Sequence, residues 1–497
     1  MTDLGKRYQW TLVVIVACYL LFGWLYARET PIWQAPDEPA HFNYVSYVAE
    51  NRRLPVLQAG DYPHDYLEQL KAAHFPPSLS VEPLRYESHQ PPLYYLLAAV
   101  LYRTTAALPF DMRLLLLRLF SVVLGAFSLL ALHSALGQIF PRSPRLQVIA
   151  CAFVAVLPMR LAMTAAINND TLAELLLLLL FGHNLRIVRL GPSTARAARV
   201  GALLGLLLLT KTTVYLQAGL LVLIAPLAFG STTALRSRFK TGLCYGLMAI
   251  LLALVVALPF FLRGASIYGW MDPLGWARHD SIVTGQLRTI DLLTEVGLPG
   301  LVQRWVVTTF RSFWGQFGWM GVLLDARIYR ALALFTVIVC IGALQYTHGL
   351  WRRCPSLTAS QKGVLSLSLL LAVASLATYV GYNLKFVQHQ GRYLFPALGA
   401  ISACLAAGLV ELSQRRLATR LALGLLLAAS ALGLAGILLA DVAEWTIVTL
   451  LLGALLVVAN SRLPTAWRWA PPVALYTAFL ALDWVCLFGF IVPMLLP

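Results

Sequence analysis

The chain has 497 residues, 59% of them hydrophobic and only 12% charged, with a formal net charge of +16. So few charges exclude a soluble domain of this size, and basic residues scattered in short clusters between apolar runs exclude a nucleic-acid-binding face. The seven cysteines include no CxxC pair, and all but Cys354 lie in apolar runs, so neither a disulfide framework nor a thiolate metal site is expected.

Taken in chain order, Lys6 and Arg7 precede a first apolar run with no clear cleavage site after it, read as an uncleaved span at about 10–27. Further spans are expected at about 112–137, 146–164, 171–187, 198–213, 214–230, 241–262, 328–350, 363–382, 393–412, 417–439, 445–460 and 471–495. The fold class is therefore all-α and polytopic, a single transmembrane domain over 1–497 with about thirteen helices. With the N-terminus in the cytoplasm, one side of the membrane receives Lys6 and Arg7, Arg142 and Arg145, Arg186 to Arg199, Arg236 to Lys240, Arg352 to Lys362, Arg415 to Arg420, and Arg462 with Arg468. That side holds a single acid, Asp3, which is the asymmetry of the positive-inside rule. Residues 28–111 and 263–327 then form two large outer loops, expected to cap a site. Two apolar stretches inside them, Pro91–Phe110 and Gly300–Leu324, carry arginines amid aromatics and are expected to lie as helices at the interface.

Five clusters carry chemistry, all on the expected outer side. Pro36-Asp37-Glu38-Pro39-Ala40-His41 puts two adjacent carboxylates beside the membrane, where they repel unless a cation offsets them; a solvated turn capping a helix explains the same residues. Glu87-Ser88-His89 followed by Pro91-Pro92-Leu93-Tyr94-Tyr95 offers a carboxylate, an imidazole and two tyrosines, or simply a loop and an aromatic belt. Asp170 closes a very short loop after Asn168 and Asn169, as an acid at the membrane surface or a helix cap. Lys211, flanked by Thr210, Thr212 and Thr213, suits either snorkelling or a phosphate. Lys385, Arg392 and Tyr393 put cations on the outer side, against the general pattern, which calls for an anionic ligand or for interfacial anchoring. Glu38, His41, Glu87 and His89 are the candidates for a divalent cation, although their spacing matches no compact metal motif.

The order of these motifs resembles the GT-C-type integral membrane glycosyltransferases that use polyprenyl-phosphate sugars, such as protein mannosyltransferases and lipid A aminoarabinose transferase. The motifs are the acidic run after the first span, His-x-Pro-Pro-Leu-Tyr-Tyr, a second Asp after span 3, Leu-Thr-Lys in span 5 and Arg-Tyr-Leu-x-Pro late in the chain. Pro-Asp-Glu-Pro-x-His and Ser312-Phe313-Trp314-Gly315 look closest to a bacterial branch of that superfamily. The resemblance implies Asp37 as the catalytic carboxylate, Glu38 in its support or sharing a metal, Asp170 as the second acidic position, and Lys211 and Arg392 as ligands of the lipid phosphate. The chain departs from the family at Gln90, where a histidine commonly precedes Pro-Pro. The expected activity is inverting sugar transfer from a polyprenyl-phosphate donor to a lipid, glycan or protein acceptor on the extracytoplasmic face of a bacterial inner membrane. The competing classes are a flippase or transporter of lipid-linked sugars, for which no internal repeat is seen, and a polymerase or ligase of lipid-linked glycans.

Overall fold

The computed structural model describes residues 3–229 and 235–496, and the side chains of Asp3, Lys6, Arg236 and Arg238 lie outside what is described. Each of the thirteen expected spans holds a helix among the described residues, and the end of the one expected at 214–230 lies outside them. In chain order the helices are α1 (Asp3–Glu29), α2 (Glu38–Asn51), α3 (His64–Ala72), α4 (Leu93–Thr104), α5 (Phe110–Ile139), α6 (Pro144–Ala155) and α7 (Pro158–Thr164). Then follow α8 (Asp170–Leu190), α9 (Thr194–Leu208), α10 (Tyr215–Ile224), α11 (Leu235–Tyr268), α12 (Trp276–Ile282) and α13 (Thr289–Trp314). The last are α14 (Ala326–Arg352), α15 (Ala359–Asn383), α16 (Leu398–Glu411), α17 (Arg415–Leu439), α18 (Glu444–Arg462), α19 (Ala470–Val485) and α20 (Val492–Leu495).

Among the described residues ten helices are long and apolar enough to cross a membrane, and the bent pair α6–α7 is either a broken eleventh span or a re-entrant loop. The protein is a polytopic α-helical membrane protein. The expected spans at 198–213 and 214–230 fall short of that length: α9 has 15 residues and α10 only 10. The α6–α7 bend of 64° has a local cause, since Pro158 disfavours helical geometry at Leu157.

The two stretches expected at the interface differ from each other. Pro91–Phe110 becomes α4, whose 12 residues are too short to cross. In the second, α13 stops at Trp314, before Gly315, and the expected helix up to Leu324 is not formed. A two-stranded hairpin pairs Gln316–Phe317 (β1) with Val322–Leu323 (β2) instead. Gly318 turns the hairpin with φ 53°, together with the left-handed Trp319 and Met320, a backbone no helix can contain.

The long helices pack through small residues, as helices in lipid must when the hydrophobic effect between them is weak. A Cβ on Gly342 of α14 would stand 2.5 Å from the Gly408 carbonyl oxygen of α16, and one on Gly201 of α9 2.6 Å from the Ala249 carbonyl of α11. One buried cluster joins α2 and α4 to α8, α9 and α15; a second joins α1, α6 and α7 to α16 and α19.

Candidate active site

Glu38 and Asp37 are neighbours with opposite fates. The turn between Pro36 and Pro39 places Asp37 in the left-handed region (φ 66°, ψ −5°) as the residue before α2. That conformation is costly for a non-glycine residue, and short polar side chains such as Asp carry it best. It turns the two carboxylates apart. Glu38 is fully buried: Arg118 of α5 donates from Nε to Oε1 at 2.8 Å and from Nη2 to Oε2 at 2.6 Å, and the Ile167 amide adds a third bond at 3.2 Å. The same guanidinium donates to the carbonyls of Ala27 and Thr30, tying the end of α1 to α2 and α5. A carboxylate so fully used is a positioning group. It is available neither to substrate nor to a metal, which corrects the expectation that Glu38 shares the chemistry.

Asp37 instead faces a cavity of about 250 Å³ together with His41, Glu87, His89, Asp170, Lys211, Arg392 and Tyr393. Its Oδ1 accepts from the Tyr86 hydroxyl at 2.9 Å and its Oδ2 from Arg392 Nη2 at 3.2 Å. Arg392 enters from the 3-10 turn Gly391–Ala397, which is held in place by the Gly391 amide donating to Ser312 Oγ at 2.7 Å. Across the cavity Lys211 Nζ lies 2.7 Å from Asp170 Oδ1 and donates to Asn169 Oδ1 at 2.9 Å. Asp170 begins α8, and Lys211 sits in the break between α9 and α10, so two helix ends supply this second pair. Two acid–cation pairs thus face each other in one cavity. Its far wall carries Tyr379, Tyr382 and Phe395. Its floor ends on a buried pair, Arg160 Nη2 to Glu174 Oε1 at 2.8 Å.

The loop residues around the cavity have shifted proton affinities. Burial, assisted by the Asp37 charge, pushes the Glu87 carboxyl up to about 7. Burial and the nearby Lys211 lower His41 to about 4, so its imidazole is neutral at physiological pH. Its Nδ1 is 2.8 Å from the Tyr95 hydroxyl. Burial and the neighbouring His279 lower His89 to about 3; the two rings are 4.5 Å apart.

The remaining expected residues lie elsewhere. Tyr94 is spent on Ser121 Oγ at 2.8 Å, inside the protein, and Tyr95 stacks on Tyr44 at 3.7 Å behind His41; neither lines the cavity. Lys385, expected to bind substrate, pairs with Asp280 at 2.9 Å, seven residues in sequence from Arg392 but outside the cavity. The metal candidates do not assemble: among the described residues no three His, Cys, Asp or Glu side chains gather closely enough to hold an ion. Residues not singled out by sequence include Arg118, Tyr86, Trp276 and Arg160, the partner of Glu174. Arg118 and Arg160 did carry a signal, since an arginine inside an apolar span must have a partner. Tyr86 and Trp276 carried none.

The family described as "Predicted membrane protein (DUF2142)" matches residues 80–401, which include Glu87, Asp170, Lys211 and Arg392. No curated protein matches the chain in sequence. Among solved structures, the chain is similar to an Archaeoglobus fulgidus oligosaccharyltransferase complexed with zinc and sulfate (TM-score 0.47, 14% identity, 89% of this chain and 53% of that one). It is also similar to ArnT from Cupriavidus metallidurans bound to undecaprenyl phosphate (TM-score 0.48, 15% identity, 98% and 77%). The chain spans about half the length of the oligosaccharyltransferase it matches.

Proposed function

The chain belongs to the DUF2142 family of predicted membrane proteins, and we propose that it is a membrane glycosyltransferase that takes a sugar from a polyprenyl-phosphate donor on the extracytoplasmic side. The observation that carries this reading is the pair of acid–cation couples, Asp37–Arg392 and Asp170–Lys211, facing one another in a single cavity. A phosphate leaving group needs cations to meet its charge, and an attacking hydroxyl needs a carboxylate to take its proton. Both are present within one small volume, beside a wall of aromatic side chains suited to a prenyl chain or a sugar face.

In the proposed reaction the acceptor oxygen bonds to the anomeric carbon as the bond from that carbon to the phosphate oxygen breaks. The hydroxyl proton passes to Asp37, and the bonding pair leaves with the polyprenyl phosphate. Attack from the face opposite the phosphate inverts the anomeric centre. The Tyr86 and Arg392 contacts hold Asp37 through both oxygens. Arg392 and Lys211 then exchange a carboxylate partner for the phosphate. Asp170 keeps Lys211 in place while the site is empty of donor. Its side chain is 47% exposed, so an incoming anion can reach the pair from the cavity.

The test is to incubate purified wild type and Asp37→Asn with polyprenyl-phosphate sugars and membrane lipids, and to follow donor and product by mass spectrometry. Donor loss by wild type, with a fall of about 10³-fold in the variant, is the expected result. Equal turnover by a folded variant removes Asp37 as base. Lipid movement across vesicles with no chemical change in either protein assigns transport instead.

A further inference from the structure

A second cavity, of about 850 Å³, opens beside the first and is built differently. One face of α2 lines it through Asn43, Ser46, Tyr47 and Glu50, at the i, i+3, i+4, i+7 spacing that places side chains along a single stripe. The N-terminal end of the same helix carries Asp37 and His41 into the catalytic cavity. The partition between the two is the 3-10 turn Tyr86–His89: Ser88 faces the groove, whereas Glu87 and His89 face the catalytic side. The groove therefore leads along one helix, and around one turn, to the carboxylate assigned as the base.

Its chemistry narrows the ligand. Three carboxylates (Glu50, Asp61, Glu82) and three guanidinium groups (Arg53, Arg85, Arg263) line it. Among the described residues none of the six forms an ion pair. In the catalytic cavity, by contrast, Asp37 and Asp170 are each paired with a cation. The arginines are nonetheless oriented. Arg263 donates to the carbonyls of Leu54 and Pro55 at 2.9 Å, Arg53 Nε to the Tyr47 hydroxyl at 3.0 Å, and Arg85 Nε to the Glu82 carbonyl at 2.9 Å. The terminal nitrogens of Arg53 and Arg85 have no further partner among the described residues. Equal numbers of fixed charges of each sign disfavour a polyanion, and the density of polar groups disfavours an acyl chain. Planar carboxylate and guanidinium forks match vicinal hydroxyls, and Tyr47, with Arg53 over its ring, adds a phenol to the lining.

We propose that this groove binds the acceptor and that the acceptor is a glycan. The proposal rests on the glycosyltransferase reading above and names the second substrate of that site. The test uses the full-length protein in detergent with two probes: a pool of soluble hexose and N-acetylhexosamine oligosaccharides, read by saturation-transfer NMR and titration, and a polyprenyl phosphate, read by native mass spectrometry. The expected result is saccharide binding by wild type, weakened tenfold or more in both Arg85→Ala and Glu50→Gln, while polyprenyl phosphate affinity stays within twofold. Lys211→Ala is expected to show the reverse pattern. Glu50→Gln is nearly isosteric on a formed helix, so it keeps the test valid if Arg85→Ala fails to fold. No saccharide bound by wild type, or equal binding by the groove variants, overturns the proposal. A peptide pool, added as a third probe, also overturns it by binding in place of the saccharides and being lost in the same variants. If saccharide binds and polyprenyl phosphate does not, the groove stands and the donor reading falls.

Discussion

Helices α8 and α17 are both apolar and both long enough to cross a membrane, yet they live in different surroundings. The most apolar window of α8 is 72% buried in the protein, and those of α17 and α18 are 17% buried. The sequences follow. Helix α8 begins with Asp170 and carries Glu174 one turn in, and the buried α5 carries Arg118. Between Arg420 and Asp441, and again between Glu444 and Arg462, the chain has no charged residue at all. An ionisable group in a span is tolerated when protein, not lipid, surrounds it and a partner meets its charge. Arg118–Glu38 and Arg160–Glu174 satisfy both conditions. These two buried pairs lie on helices around the cavity, whereas the buried Asp483 of α19 has no hydrogen-bond partner for its carboxylate among the described residues, and the α17–α18 hairpin is an exposed apolar flank.

The sharpest way to break this contrast is Arg118→Ala. It would strand the buried Glu38 carboxylate and release the end of α1, at a cost of about 3–5 kcal/mol. Thermal unfolding in detergent should show a large drop or no folded protein. A melting point unchanged from wild type would show that the pair does not hold α1, α2 and α5 together.

A smaller effect is expected from Glu87→Gln. The folded carboxyl titrates at about 7, above its ordinary value near 4.5, so burying it favours the folded state only while it is protonated. That contribution is complete below about 4.5 and is lost as pH rises through 7. The variant, with nothing to ionise, should match wild type at pH 4 and melt higher than wild type at pH 8. The same difference at both pH values would place Glu87 outside this linkage.

The smallest effect belongs to the flank. Leu438→Ala in α17 and Leu455→Ala in α18 remove side chains that are 75% and 63% exposed. Donor turnover should stay within twofold and the melting point nearly constant. A large loss of turnover would mean that the hairpin contacts substrate or a partner.

Much of this was legible in the sequence, because apolar length and arginine placement are one-dimensional signals. Each expected span holds a helix among the described residues, and Asp37, Asp170, Lys211, Arg392 and Tyr393 came together in one cavity from four separate stretches. What was not legible depends on partners distant in sequence. Nothing local separates Asp37 from Glu38; Arg118, 80 residues on, makes one a buried anchor and leaves the other facing the cavity. Lys385 and Arg392 look alike in one loop, until Asp280 claims the first. The hairpin at 316–323 was hidden because its aromatic residues recur at helical spacing while its glycines set the backbone.

The brevity of α9 and α10 bears on the lipid around them. Their 15 and 10 residues rise about 22 Å and 15 Å, against a hydrocarbon thickness of about 30 Å. Leu216, Leu223 and Ile224 of α10 are exposed, and acyl chains meeting that face would find an element too short to match them. A bilayer meets such a mismatch by thinning or by letting water dip inward. The dimple would lie beside the turn that carries Lys211, and an amphiphile sliding in from the membrane plane would have less hydrocarbon to cross there than alongside α5 or α17.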